Sequence, residues 1–191
     1  MLKPFLRTAI AAAALAFAAM PAMAQSGILV VDMQKVYSDS KVGKHITSRM
    51  KSLAATDEAT IKSQASSLES TMKSLRPQLE GKSQQDILSN ASLKTQLESF
   101  GKRQGELQST ARKKQAELAL TRNKALGTVN TQVKSVLEQI AKERGAAAVM
   151  EAGSVLYIPD SSSADITATV IQRLDQRMTT TPVTRQSLPT R

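Results

Sequence analysis

The chain has 191 residues, a formal charge of +10 from 26 Lys and Arg against 16 Asp and Glu, 3% aromatics and no Trp. So few large apolar side chains exclude a thick globular core but suit helices joined along narrow seams. The lack of cysteine and a single histidine, His45, exclude disulfide staples, thiol chemistry, histidine triads and the common zinc sites.

Met1 to Arg7 carries Lys3, Arg7 and no acid, Thr8 to Met20 is almost wholly Ala, Leu, Ile and Phe, and Pro21 precedes Ala22-Met23-Ala24. A cationic start, an apolar run of about 13 residues and a small-x-small site describe a secretory signal peptide, because a membrane span needs about 20. Residues 1–24 are therefore expected to be cleaved on export to a periplasm, leaving 167 residues with a charge of +8.

Gly27-Ile28-Leu29-Val30-Val31-Asp32-Met33 is a short β-branched run that reads as a strand buried on both faces. Gln34 to Tyr37 fits one turn of helix, and Ser38-Asp39-Ser40 fits a loop and N-cap. From Lys41 the period turns helical. Ile46, Met50, Leu53, Ile61, Leu68, Met72, Leu75 and Leu79 fall mostly at threes, fours and sevens, the seam of a coiled coil. Arg76-Pro77 and Gly81 interrupt it, so the chain should turn near 77–85.

A second, longer helix carries Leu88, Leu97, Phe100, Leu107, Ala111, Leu118, Ala125, Val129, Val133, Val136 and Ile140, and stops at Gly145. Two seamed helices joined by a short turn fold back antiparallel. With the turn centred at 81–82, facing residue numbers add up to about 163: Leu75 meets Leu88, Met72 meets Ala91, Leu53 lies near Ala111 and Ile46 near Leu118.

Ala146 to Met150 and Ser154 to Ile158 read as two further strands around Ala152-Gly153, with Pro159-Asp160 and serines 161–163 as a loop. Asp165 is placed to cap a final helix whose Ile166, Val170, Ile171 and Leu174 share one face. Residues 179–191, rich in Thr and Pro and aperiodic, are predicted to be a disordered tail. The predicted fold is α+β but mainly α. A long antiparallel helical hairpin, a coiled-coil arm over 41–144, stands on a small β-sheet body drawn from 25–40 and 145–178. So small a body cannot anchor arms of about 60 Å alone. Oligomerisation through strand edges is expected, with Ile28, Val30, Val31, Val155 and Tyr157 at the contact.

Two stretches carry a resemblance. Gly27-Ile-Leu-Val-Val-Asp-Met-Gln-Lys-Val-Tyr37 before a long helical hairpin, and Val149-Met-Glu-Ala-Gly-Ser-Val-Leu-Tyr157 with Asp165-Ile-Thr167 leading into a last helix, resemble the ends of the Skp/OmpH family of periplasmic chaperones. The likeness covers the chain from Gln25 to about Met178. It implies a homotrimer with a β-sheet body and three helical tentacles around a cavity that holds unfolded outer-membrane proteins. Ala146-Ala147-Ala148 makes a softer strand than the family pattern, and the tail after Met178 has no family counterpart.

No catalytic arrangement stands beside this resemblance. Ser-x-x-Lys occurs at Ser38, Ser48, Ser70 and Ser99, the noise of a Ser/Lys-rich chain, and its companion motifs are absent. Neither an enzyme function, nor a cofactor, nor a metal is therefore expected. Between Lys41 and Arg144 there are 19 Lys and Arg against 10 Asp and Glu. A solvated face accounts for any single cation, whereas the summed excess attracts acidic clients. Arg49, Lys51, Lys62, Lys73, Arg76, Lys82, Lys102, Arg103, Arg112 and Lys113 are the candidate client-binding residues. Lipopolysaccharide or a membrane surface offers the same attraction, and nucleic acid is not expected after export. The alternative function is a periplasmic coiled-coil adaptor that binds a folded partner at the tip, 76–82. Asp57 in the seam, with Gly101 and Gly105 opposite, marks a candidate arm hinge.

Overall fold

The computed structural model describes residues 27–159 and 162–189; the expected signal peptide lies outside them. Strand β1 (Ile28–Val31) leads into helix α1 (Met33–Asp39) and then α2 (Lys41–Leu79). A short helix α3 (Gln84–Ser89) crosses the tip, α4 (Ala91–Arg144) returns, and β2 (Ala148–Glu151) and α5 (Thr167–Arg177) close the body.

Strands β1 and β2 pair in parallel, Ile28 opposite Ala148 and Val31 opposite Glu151. The other edge of β1 is held by residues 164–166: the Val30 N–H donates to the Ala164 carbonyl at 2.8 Å and the Ile166 N–H to the Val30 carbonyl at 2.9 Å. Leu29 and Val31 thus enter a core with Val36, Val42, Val129, Val133, Val136, Ile140, Val170 and Leu174. Ser154–Ile158 is not a third strand. After a 3₁₀ turn at Ala152–Ser154 the chain runs on with no strand partner among the described residues, and Leu156 and Tyr157 stand in solvent. An edge without a neighbouring chain has nothing to complete its ladder.

Side-chain caps begin α1 to α4, whereas the cap position of α5 is Ile166, so the expected cap Asp165 stands one residue before it. The Asp32 carboxylate accepts from the Lys35 N–H at 2.8 Å, and the buried Ser40 hydroxyl accepts from the Gly43 N–H at 3.2 Å. At α5 the Asp165 carboxylate accepts the Thr167 N–H at 2.8 Å. Bonds from the Thr167 side chain and backbone hold the Asp165 carboxyl below its ordinary pKa. The elbow between α1 and α2 is tight. A Cβ on Gly43 would lie 1.7 Å from the Tyr37 carbonyl oxygen, so the close approach admits only glycine.

Helix α2 runs through Pro77 to Leu79, three residues past the expected interruption at Arg76-Pro77. Proline there forfeits its own N–H bond to the carbonyl four residues back, and the helix ends two residues later. Gly81 then takes the left-handed conformation, φ 72°. The tip is also not a tight turn. Ser83 and Asp86 form a reciprocal capping box that starts α3, and the Asn90 side chain caps α4 through the Leu93 N–H at 3.0 Å. Leu88 therefore sits on α3 in solvent, and Leu75 and Leu93 are the buried leucines at the tip.

This helical link resets the hairpin. Lys114 faces Asp57 at 3.5 Å, and Gln64 and Leu68 share a groove with Arg103 and Leu107. Facing residue numbers add up to about 171 rather than 163, roughly two helical turns along α4. The predicted pairs Leu75–Leu88, Met72–Ala91, Leu53–Ala111 and Ile46–Leu118 are replaced accordingly. On α4 the buried stripe is Glu117, Thr121, Ala125, Val129, Val133, Val136 and Ile140.

The segment after Met178 is not a free tail through its described part. Residues 179–189 lie along α4 as an extended strap, with Val183 in the core and Thr181 buried. The Gln186 N–H donates to the Thr121 hydroxyl at 2.9 Å, and Lys124 donates to the Gln186 side chain at 2.8 Å. Thr and Pro form no periodic element, but alternate side chains of an extended chain can still be buried.

Candidate functional site

The arm changes character along its length. Near the body the seam is dry: Val42, Ile46, Ala125 and Val129 are at most 4% exposed. The last buried level is ionic. Asp57 on α2 and Glu117 on α4 are each 5% exposed, and Arg185 of the strap donates to both Asp57 oxygens at 2.8 Å.

Beyond that level no residue is buried until Leu75 and Leu93 at the tip. The middle of the arm is a half-open seam in which Ile61, Leu68, Leu97, Phe100 and Leu107 are only partly covered. It is flanked by two grooves. One, of about 380 Å³, is lined by Gln64, Ser67, Leu68, Arg103, Glu106, Leu107 and Thr110. The other, of about 410 Å³, contains Met72, Lys73, Arg76, Phe100 and Gln104, and shares Leu68 and Leu107 with the first. Both grooves combine exposed apolar surface with guanidinium or ammonium groups, which suits an extended peptide with mixed side chains.

All ten cations selected from sequence, Arg49, Lys51, Lys62, Lys73, Arg76, Lys82, Lys102, Arg103, Arg112 and Lys113, are exposed. Arg103, Lys73 and Arg76 border the grooves. Lys102 and Lys113 lie 4.0 Å from Glu106 and Glu117, one helical turn on, pairs worth only a few tenths of a kcal/mol. The charge is therefore spread along the arm, not gathered at one point.

The three hinge candidates are not brought together. Asp57 faces Lys114 and Arg185 rather than Gly105. Gly101 and Gly105 lie nearer the tip, and a Cβ on either would meet nothing within 4 Å. Asp57 is thus a cross-link at the arm root, while the loosely packed stretch lies beyond it. Sequence reasoning passed over Glu117, Thr121 and Arg185, because polar residues at seam positions look like surface until their partners are in view.

In the body, Val31 belongs to the intramolecular core and Val30 is only 5% exposed, so neither faces outward as a contact residue. Ile28 and Tyr157 do, at 51% and 79% exposure, and Val155 is half-buried. Met150 and the fully exposed Leu156 join them around a cleft of about 580 Å³. Among the described residues no group of three His, Cys, Asp or Glu could hold a metal ion, and no helix is long and apolar enough to cross a membrane.

A family model described as outer membrane protein (OmpH-like) matches residues 27–174. No curated protein matches the chain. Among solved structures, a proposed OmpH-like outer membrane chaperone from Caulobacter crescentus superposes with a TM-score of 0.71 at 21% identity, over 85% of this chain and 91% of that one. That likeness supports the fold: a long helical hairpin on a small sheet-bearing body.

Proposed function

The chain belongs to the OmpH-like outer membrane protein family, and from that premise we propose that it is an ATP-independent periplasmic chaperone holding unfolded outer-membrane proteins between its arms. One observation carries the reading, the half-open seam between Asp57 and Leu75, where partly covered Leu68, Phe100 and Leu107 lie beside exposed cations. An unfolded β-barrel chain offers alternating apolar side chains that gain by covering such surface. The hairpin's excess of cations speeds capture of acidic segments. Holding requires no bond to break, so neither a cofactor nor a catalytic residue enters.

In this reading the body assembles as a homotrimer. The exposed Ile28, Met150, Leu156 and Tyr157 surround a cleft that a second copy covers, with Ser154–Ile158 completing the sheet between chains. Three arms then enclose a common cavity. Lipopolysaccharide and membrane surfaces are further partners of the same cations.

The test dilutes a β-barrel protein from urea into buffer with the mature chain and follows light scattering. Suppressed aggregation that survives moderate salt supports the chaperone. No suppression overturns it. Binding only to lipopolysaccharide, lost steeply with salt, identifies a polyanion binder instead. A folded partner lost on Arg76→Glu with Lys82→Glu identifies a tip adaptor.

A further inference from the structure

Asp57 and Glu117 are buried carboxylates on opposite arms of the hairpin, at the last level of the seam that excludes water. Two like charges there favour separation of the helices. What lies between them is the guanidinium of Arg185, contributed by neither arm. Its Nη2 donates to both Asp57 oxygens at 2.8 Å, and its Nη1 lies 3.6 Å from Glu117 Oε2. Lys114 adds a cation 3.5 Å from Asp57, and Lys113 one 4.0 Å from Glu117, but both stand on α4 and are more open to solvent than Arg185. Among the described residues at this level of the arm, Arg185 alone joins α2 to α4 through a third segment.

The strap that delivers Arg185 begins beyond the residues 27–174 that the family model matches. It makes no ladder with any strand. Besides Arg185 it is pinned by Val183 in the core, by the buried Thr181, and by the bonds from the Gln186 N–H to the Thr121 hydroxyl and from Lys124 to the Gln186 side chain. A few local anchors around one central arginine describe an element that can detach as a unit.

We propose that the C-terminal strap 179–189 is a latch, with Arg185 clasping the root of the hairpin and so limiting how far the two helices separate above it. The clasp is asymmetric. It is tight on Asp57, while Nη1 makes no hydrogen bond to Glu117, so the α4 side of the ion cluster yields first. Release of the strap extends the open seam from the middle of the arm down to the body. The latch concerns the hairpin itself and holds whether or not the arms carry outer-membrane proteins.

The test compares full-length wild type, Arg185→Met, and a neutralised variant combining Arg185→Met with Asp57→Asn and Glu117→Gln. The readouts are hydrogen exchange and the distance between spin labels on Gln64→Cys and Thr110→Cys, diluted with unlabelled chain. Arg185→Met is expected to speed exchange over 54–60 and 114–120 by about tenfold or more, and to broaden the distance distribution, while 129–140 keeps its protection. The neutralised variant, freed of facing carboxylates, is expected to recover most of the narrow distribution. Unchanged exchange and distances in Arg185→Met overturn the latch. So does equal loss of protection throughout the body, or a neutralised variant as open as Arg185→Met, because either makes the strap simple packing.

Discussion

Gly43, Gly101 and Gly105 all lie inside long helices, where replacement by alanine ordinarily gains about 1 kcal/mol. Their surroundings divide them. A Cβ on Gly43 would stand 1.7 Å from the Tyr37 carbonyl oxygen, 2.7 Å from its carbon and 3.0 Å from the Ser40 hydroxyl. Backbone atoms cannot rotate away, so the α1–α2 elbow must open by roughly 2 Å to reach ordinary contact. That movement strains packing around Val36 and Val42, both fully buried, at about 1–3 kcal/mol. It also loosens the Ser40 cap, worth about 1 kcal/mol. After the helix-propensity gain, Gly43→Ala should lose about 1–3 kcal/mol. Gly101→Ala and Gly105→Ala, which point into open space, should each gain about 0.5–1 kcal/mol. Urea titrations followed by far-ultraviolet circular dichroism give the three midpoints under identical conditions. A Gly43→Ala midpoint at or above wild type, or a lower midpoint for Gly105→Ala, would refute the reasoning.

Ile140, 1% exposed in the body core, should cost about 2–5 kcal/mol on change to alanine, measured as a lower urea midpoint; a loss under about 1 kcal/mol would place the core elsewhere. Stability should also fall in acid. The Asp165 carboxyl is held below its ordinary pKa by bonds from Thr167, so its contribution is present above the unfolded value, about 4, and is lost as pH drops through the lower folded value. Asp165→Asn should flatten the acid limb of the stability curve, and parallel curves for variant and wild type would count against that origin. Leu156→Ser with Tyr157→Ser should reduce the solution mass toward one chain without lowering helix content, whereas an unchanged mass removes this face from the assembly interface.

Local chemistry carried much of the architecture. The β-branched run at 28–31, the Ser40 cap, the heptad-like leucines of α2 and the glycine stop at 145 each act within a few residues, and each appears where expected. What failed depends on distant partners. The capping box at Ser83 and Asp86 turns the expected short turn near 77–85 into a helical link, and it moved the whole register by two turns. Glu117 and Thr121 hold seam positions only because Arg185 and Gln186 reach them from the other end of the chain. The segment 179–189 has the composition of a free tail, yet one valine and one arginine find a core and a carboxylate pair. Val155 to Ile158 has the pattern of a strand and, within one chain, nothing to pair with.

The arm's cations and its apolar seam were visible as charge and periodicity; the openness of that seam was not, and its use in holding clients is the proposal made from the family. The most direct test is light-scattering mass on a sizing column, run on the mature chain mixed with a urea-diluted β-barrel protein. The account predicts one soluble complex whose mass equals three chains plus a client. A chain that elutes alone as a monomer while the client pellets would contradict it.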